Sequence, residues 1–148
     1  MLLERARSAE VVRMLDFLAE RRRSREACVV ATVVRATEAG RLALGGRVLV
    51  AHPGAVGQGD PMLASAVASA AQQCFAECRS RLLRMDEADV FVEWIGPPLR
   101  LFVFGSGHDV VPLVSMAGML GWQVTVADVR AERVAMPDLP PTCQVVTL

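Results

Sequence analysis

The apolar positions of this chain change their period several times, and each change marks an element. Behind Ser8, the residues Val11, Val12, Leu15 and Leu18 recur at helical spacing, which predicts a helix over about 9–22 with Ser8 as its N-cap. Arg21, Arg22, Arg23 and Arg25 close it, where cations suit the helix dipole; without interleaved aromatics they read as a solvated helix end rather than an RNA-binding patch. Two β-branched runs follow, Cys28–Val34 and Arg47–Ala51, with a turn at His52-Pro53-Gly54. Asp60-Pro61 starts a second helix, Asp as N-cap and Pro in the first helical position, and it is expected to run to Arg84 with Leu63, Val67, Ala70, Cys74 and Cys78 along one stripe. The Ala/Ser-rich content of 64–71 permits close approach of a helix or sheet. Asp89–Ile95 reads as a strand, and Gly96-Pro97-Pro98 as a stiff break.

The stretch 99–130 carries the most information. Leu101–Phe104 is a continuous apolar run, as expected of a parallel strand covered on both faces. Gly105 and Gly107 allow a sharp turn in which backbone N–H groups approach an anion, opening a helix expected over His108–Leu120. A second strand ends at Asp128, which follows Gly105 by 23 residues, close to where a dinucleotide-binding unit places its ribose-binding carboxylate. The third glycine of Gly-x-Gly-x-x-Gly is Val110, whose branched side chain is expected to push the helix slightly off the strand. The whole is an α/β chain: a small N-terminal α/β domain over 1–95, then a truncated Rossmann-like βαβ unit over 96–148.

That second half looks unfinished. After Asp128 come a Pro-rich loop, Met136 to Pro141, and a last strand, Cys143–Thr147. A complete mononucleotide-binding half needs a third parallel strand and a covering crossover, and a connection with three prolines is poorly suited to form a helix. One sheet face is then left bare unless another subunit covers it, so a homo-oligomer is expected, built by docking the Ala-rich helix or by exchange across Gly96-Pro97-Pro98.

Composition narrows the function. The chain has 148 residues, 53% of them apolar, and a formal net charge of zero. A dry core is therefore within reach, and nucleic acid is not expected as the main partner. All 16 basic residues are Arg, which removes lysine nucleophile or Schiff-base chemistry. No apolar run approaches the ~20 residues of a membrane span, and the N-terminus lacks a signal-peptide core, so a cytoplasmic protein without a membrane partner is expected. Cys28, Cys74, Cys78 and Cys143 have no zinc-ligand spacing and fall in elements read as buried; no metal site is expected, and the thiols are read as reduced and inert.

With Gly-Pro-Pro-Leu-Arg-Leu-Phe-Val-Phe-Gly-Ser-Gly-His-Asp-Val-Val-Pro-Leu and Leu-Gly-Trp-Gln-Val-Thr-Val-Ala-Asp-Val-Arg in view, the chain resembles the XdhC/CoxI family. Its members are accessory factors of molybdenum hydroxylases such as xanthine dehydrogenase and carbon monoxide dehydrogenase. The resemblance is strong over 89–130 and weaker over 28–71, where Ala-Thr-Val-Val-Arg and Gly-Gly-Arg-Val-Leu-Val fall in order. It implies a maturation factor, or chaperone, that binds molybdenum cofactor (molybdopterin), protects it and helps deliver it to a target hydroxylase. Two departures stand against the family pattern. Where the family carries Ser-Gly-Gly-Cys-x-Glu before its helix, an ungapped comparison puts Leu63 at the cysteine and Ser65 at the acid, and Glu38–Leu42 replaces a Gly-Ser…Pro loop. The family's Rossmann domain also continues beyond the position of Leu148.

The residues that would hold a cofactor are Gly105, Ser106, Gly107, His108, Asp109, Asp128 and Arg130. Backbone amides and the helix dipole would hold a phosphate, with the Ser106 hydroxyl as a further donor. His108, placed on the first helical turn, reads equally as a ligand to the cofactor or as a capping or packing residue. Asp109 reads as a first-turn acid that stabilises the helix rather than a catalyst. Asp128 would accept from a ribose or pterin donor or cap the strand-end turn, and Arg130 would pair with an anionic ligand or with Asp128 or Asp138. No catalytic triad, usable carboxylate pair or metalloprotease motif is present, so no catalytic residue is assigned. Two other readings stay open at this point: an NAD(P)-binding, oxidoreductase-like domain, and a non-catalytic structural partner of a full-length relative.

Overall fold

The computed structural model describes residues 8–38, 40–129, 139 and 143–148. The protein is a small α/β fold that divides into two compact units, Met1–Pro97 and Pro98–Leu148.

In the first unit, α1 (Ala9–Ser24) starts where Ser8 Oγ accepts from the Val11 N–H and ends at Arg25 in the left-handed region. Val11 is buried, but Val12 and Leu15 are exposed, so the apolar stripe expected there is narrower than the sequence suggests. Arg21 sits over the Phe17 ring, 5.9 Å from its centroid, and pairs with Glu20 and Glu26. The antiparallel sheet has the order β3-β2-β1-β5-β4, formed by β1 (Cys28–Ala36), β2 (Arg47–Val50), β3 (Gln58–Gly59), β4 (Arg81–Arg84) and β5 (Ala88–Ile95). The central β1–β5 ladder runs from Cys28↔Ile95 to Ala36↔Ala88, with a register shift between Val33 and Arg35.

The second helix, α2 (Pro61–Glu77), is capped by Asp60, whose Oδ1 accepts from the Met62 N–H at 2.8 Å and the Leu63 N–H at 3.3 Å. Its apolar stripe of Leu63, Val67, Ala70, Ala71 and Cys74 packs on the alternate residues Val29, Ala31 and Val33 of β1 and Val90 and Val92 of β5. The helix stops short of Arg84. Cys78 takes a left-handed conformation at φ 51°, and Arg81-Leu82-Leu83-Arg84 leaves as β4, pairing Leu83 with Val90. Leu and Arg favour helices, but pairing with β5 overrides that local preference. The ion pair from Arg81 to Glu77 (2.8 Å) and the hydrogen bond from Arg81 to Gln73 staple the new strand to the end of α2.

The second unit is a βαβ element followed by a third parallel strand: β6 (Arg100–Phe104), α3 (Val110–Met119), β7 (Gln123–Asp128) and β8 (Cys143–Thr147), in the order β6-β7-β8. Val110, Val114, Ala117, Val124 and Val126 form its core, with Leu101, Val103 and Leu139 packed against it. Val110 is thus a core residue. Coverage of β6 on both faces is not found: Leu101 and Val103 face α3, while Phe102 and Phe104 on the other face are 54% and 76% exposed. Two cysteines also depart from expectation, because Cys78 is exposed at the helix end and Cys143 only half-buried on the last strand. No described helix is long and apolar enough to cross a membrane.

Candidate functional site

The carboxyl ends of β6 and β7 lie side by side because the parallel register pairs Phe104 with Ala127. The chain leaves β6 through Gly105, at φ +102°, a conformation that side chains with a Cβ rarely adopt. Among the described residues nothing lies within 4 Å of where its Cβ would stand. The space beside the turn is therefore open, and glycine is needed here for conformation rather than for room. The Gly105 N–H is not offered to a ligand, since it donates to the Ala127 carbonyl at 2.8 Å and extends the ladder by one bond. The amides of Ser106, Gly107, His108 and Asp109 come next, and among the described residues they donate to no backbone carbonyl. They stand at the start of α3, where the helix carries positive partial charge.

Ser106 and Asp128 are brought together from 22 positions apart. The Ser106 hydroxyl donates to Asp128 Oδ2 at 2.5 Å, and Asp128 is 8% exposed, the one buried charged residue among those described. Asp128 makes a further interaction as well. The Asp128 carbonyl accepts from the Leu148 N–H at 3.1 Å, so β8 closes the same end of the sheet.

Asp109 and His108 differ from their sequence assignments. The helix begins at Val110, with Asp109 as its N-cap, so neither residue lies on the first helical turn. The Asp109 carboxylate makes no capping bond; its Oδ1 lies 2.7 Å from where a Cβ on Gly107 would stand, so the acid folds back over that glycine. The helix is instead closed by the Val110 N–H donating to the Gly107 carbonyl at 3.1 Å. His108 is exposed. Arg130 lies outside the described residues. The turn thus joins open amides with two carboxylates, Asp109 beside Gly107 and Asp128 at the end of β7.

Two features escaped the sequence reading. Phe104, immediately before the turn, offers an exposed aromatic face at the mouth of the site; its signal was the unbroken Leu-Phe-Val-Phe run. In the first unit, a cavity of about 490 Å³ lies between α2 and the 54–59 loop, lined by Val56, Gly57, Ala64, Ser65, Ala68 and Phe75 among others. The i, i+4 pair Ala64/Ala68 was its signal. Leu63 is fully buried and faces the sheet rather than this cavity, whereas Ser65 is exposed and lines it.

Among the described residues no group of three or more His, Cys, Asp or Glu could hold a metal ion. Three of the four thiols are poor ligands as they stand: burial raises Cys28 to about 11, against a weaker lowering by Arg21, and burial likewise raises Cys74 and Cys143.

No protein-family model matches the chain, and no curated protein matches it. Among solved structures it is similar to a xanthine dehydrogenase from Bacillus halodurans, with 16% sequence identity and a TM-score of 0.45, over 93% of this chain and 67% of that one.

Proposed function

We propose that this chain is a cofactor-binding accessory factor that holds the phosphate end of molybdenum cofactor for a molybdenum hydroxylase of the xanthine or carbon monoxide dehydrogenase type. The observation that carries the reading is the turn from Gly105 to Asp109. It combines a left-handed glycine, open space where a Cβ would stand, and amides at the start of a ten-residue helix. The sequence resemblance over 89–130 centres on this same turn.

The residues fit one end of such a group. A phosphate ester suits the amides of Ser106 to Asp109, and the Ser106–Asp128 pair offers an acceptor to a neighbouring hydroxyl or ring N–H. The described residues provide no cluster of ligands for molybdenum, and the position of the family cysteine holds the buried Leu63. The protein's part is therefore to bind and orient, and the metal chemistry belongs to the cofactor and to the enzyme that receives it.

Asp128 favours a second reading, because a carboxylate ending the second strand is where a dinucleotide site accepts from the ribose hydroxyls. On that reading the ligand is NAD(H), and the same turn holds its pyrophosphate.

Mass spectrometry of the small molecules that copurify with the chain separates the two. Molybdopterin in the parent protein and its loss in Gly105→Val support the first reading; NAD(H) with the same loss supports the second. Either ligand retained by Gly105→Val removes the turn from the site.

A further inference from the structure

We infer that the outer edge of β6 pairs with the β6 edge of a second copy of this chain, and that Arg100 of the partner subunit thereby joins the Gly105–Asp109 turn. The inward groups of β6 are fixed by the ladder: the Leu99 carbonyl accepts from the Gln123 N–H, and the Gly105 N–H donates to the Ala127 carbonyl, both at 2.8 Å. In a parallel pair, alternate residues point their backbone groups to opposite sides. The N–H and C=O of Arg100, Phe102 and Phe104 therefore point to the outer edge, where no described strand pairs with them.

Within Arg100-Leu101-Phe102-Val103-Phe104 that edge has no proline and no bulge, and its one charge, Arg100, stands at its start. An antiparallel two-fold centred on Phe102 satisfies every outward donor and acceptor of the segment. It sets Phe102 against Phe102 of the partner subunit, joining two aromatic side chains that are 54% exposed in the single chain. It sets Arg100 opposite Phe104 of the partner subunit, a cation against an exposed ring, twice by symmetry.

This register has a consequence for the site. Phe104 immediately precedes Gly105, so Arg100 of the partner subunit arrives at the carboxyl end of β6. The turn's own charges there are the carboxylates of Asp109 and Asp128, and a phosphate held by amides alone gains a charge-assisted donor from the second copy. The edge pairing stands on geometry alone, while the role given to Arg100 rests on the function proposed above.

Disulfide trapping tests the pairing without any ligand. In a Cys78→Ser/Cys143→Ser background, the double variant Arg100→Cys/Phe104→Cys is expected to form an intermolecular disulfide on mild oxidation, because directly opposed hydrogen-bonded residues sit with Cα atoms about 5.5 Å apart. Either substitution alone is expected not to cross-link, since the register brings neither residue to its own mate. Sedimentation equilibrium at tens of micromolar is expected to give twice the 16.0 kDa chain mass for the parent protein, and the single-chain mass for Phe102→Lys with unchanged circular dichroism. A monomeric parent, or single variants that cross-link as well as the double one, overturns the pairing.

Titration with NADH and with molybdopterin then tests the site. Arg100→Ala is expected to stay dimeric and to bind about tenfold more weakly. Unchanged affinity overturns the assignment of Arg100. A cross-linked dimer that binds neither probe overturns that assignment together with the proposed function, and supports the edge pairing by itself.

Discussion

Ser106 and Asp128 are 22 positions apart in the chain, yet the hydroxyl of one donates to the carboxylate of the other across the ends of two parallel strands. The bond ties the turn after β6 to the end of β7. It also accounts for a carboxylate only 8% exposed, because buried charge persists where it is hydrogen-bonded.

Ser106→Ala is expected to cost about 1.5–2 kcal/mol, the lower part of the range for a hydrogen bond to a charged group, since Asp128 keeps its other interaction. Urea denaturation with an unchanged slope is the measurement. A cost within the error of the fit would show that water replaces the hydroxyl at no loss.

Gly105→Ala isolates conformation from crowding. Among the described residues no atom lies within 4 Å of the new Cβ, so the expected destabilisation of about 1–3 kcal/mol comes from holding a residue with a Cβ at φ +102°. Ligand affinity is expected to fall further than stability, because the methyl group occupies the open space beside the amides. A variant with wild-type stability would mean that the turn flips to negative φ without penalty.

Asp109→Asn is expected to strengthen the binding of phosphate-bearing ligands by about 1 kcal/mol. The carboxylate caps nothing in α3 and leans over Gly107, so removing its charge takes a repulsive group from the turn at little cost to the helix. Titrations with NADH at low and moderate salt check both the sign and the screening. Weaker binding by Asp109→Asn would make the acid a direct acceptor of the ligand.

Local signals in the sequence carried far. Ser8 and Asp60-Pro61 mark their helix starts because an N-cap depends on residues two or three positions away. The strand–turn–helix from Leu101 to Val110 was legible for the same reason. Arg81–Arg84 was not: Arg and Leu continue a helix locally, and only the partner Val90 and its neighbours, supplied from later in the chain, draw the segment into the sheet. The run Leu-Phe-Val-Phe reads as buried on both faces, but composition cannot say whether a covering layer exists, and Phe102 and Phe104 stand exposed. The Ser106–Asp128 bond needed the β6–β7 register, which no spacing rule states. Asp109 was read as a first-turn acid of a helix from His108, but the helix starts at Val110 and the Asp109 carboxylate makes no capping bond.

The thiols divide into a reactive one and protected ones. Cys78 is exposed at the end of α2 and is expected to react first with a thiol reagent at pH 8, with Cys28 and Cys74 reacting only on unfolding. Burial raises Cys28 from 9.0 to about 11, so the folded state holds that proton more tightly than the unfolded chain. Its contribution is therefore complete below pH 9 and is lost as pH rises through about 11, a decline of roughly 2–3 kcal/mol. Unfolding curves of the parent and of Cys28→Ala between pH 8 and pH 11 are the test, and an equal slope in both would remove Cys28 as the source.

Leu63 decides whether a single substitution can present a thiol at the start of α2. The residue stands one turn into α2, its N–H bonded to Asp60, and its side chain is fully buried in the core of the first unit. Leu63→Ala is expected to cost about 2–5 kcal/mol through lost contacts and the cavity left behind. Leu63→Cys is expected to cost less than Leu63→Ala but still to destabilise, and its thiol should stay unreactive in the folded protein, since burial disfavours the thiolate. Ser65→Cys, two residues on, places a thiol on the exposed face that lines the 490 Å³ cavity and is expected to react readily. Rates of modification at pH 8, measured beside urea stability for both variants in a Cys78→Ser background, settle the orientation. Equal rates would mean that the start of α2 opens in solution. The expected contrast means that a thiolate at this end of the helix has to enter at the Ser65 face, because the Leu63 position is committed to the core.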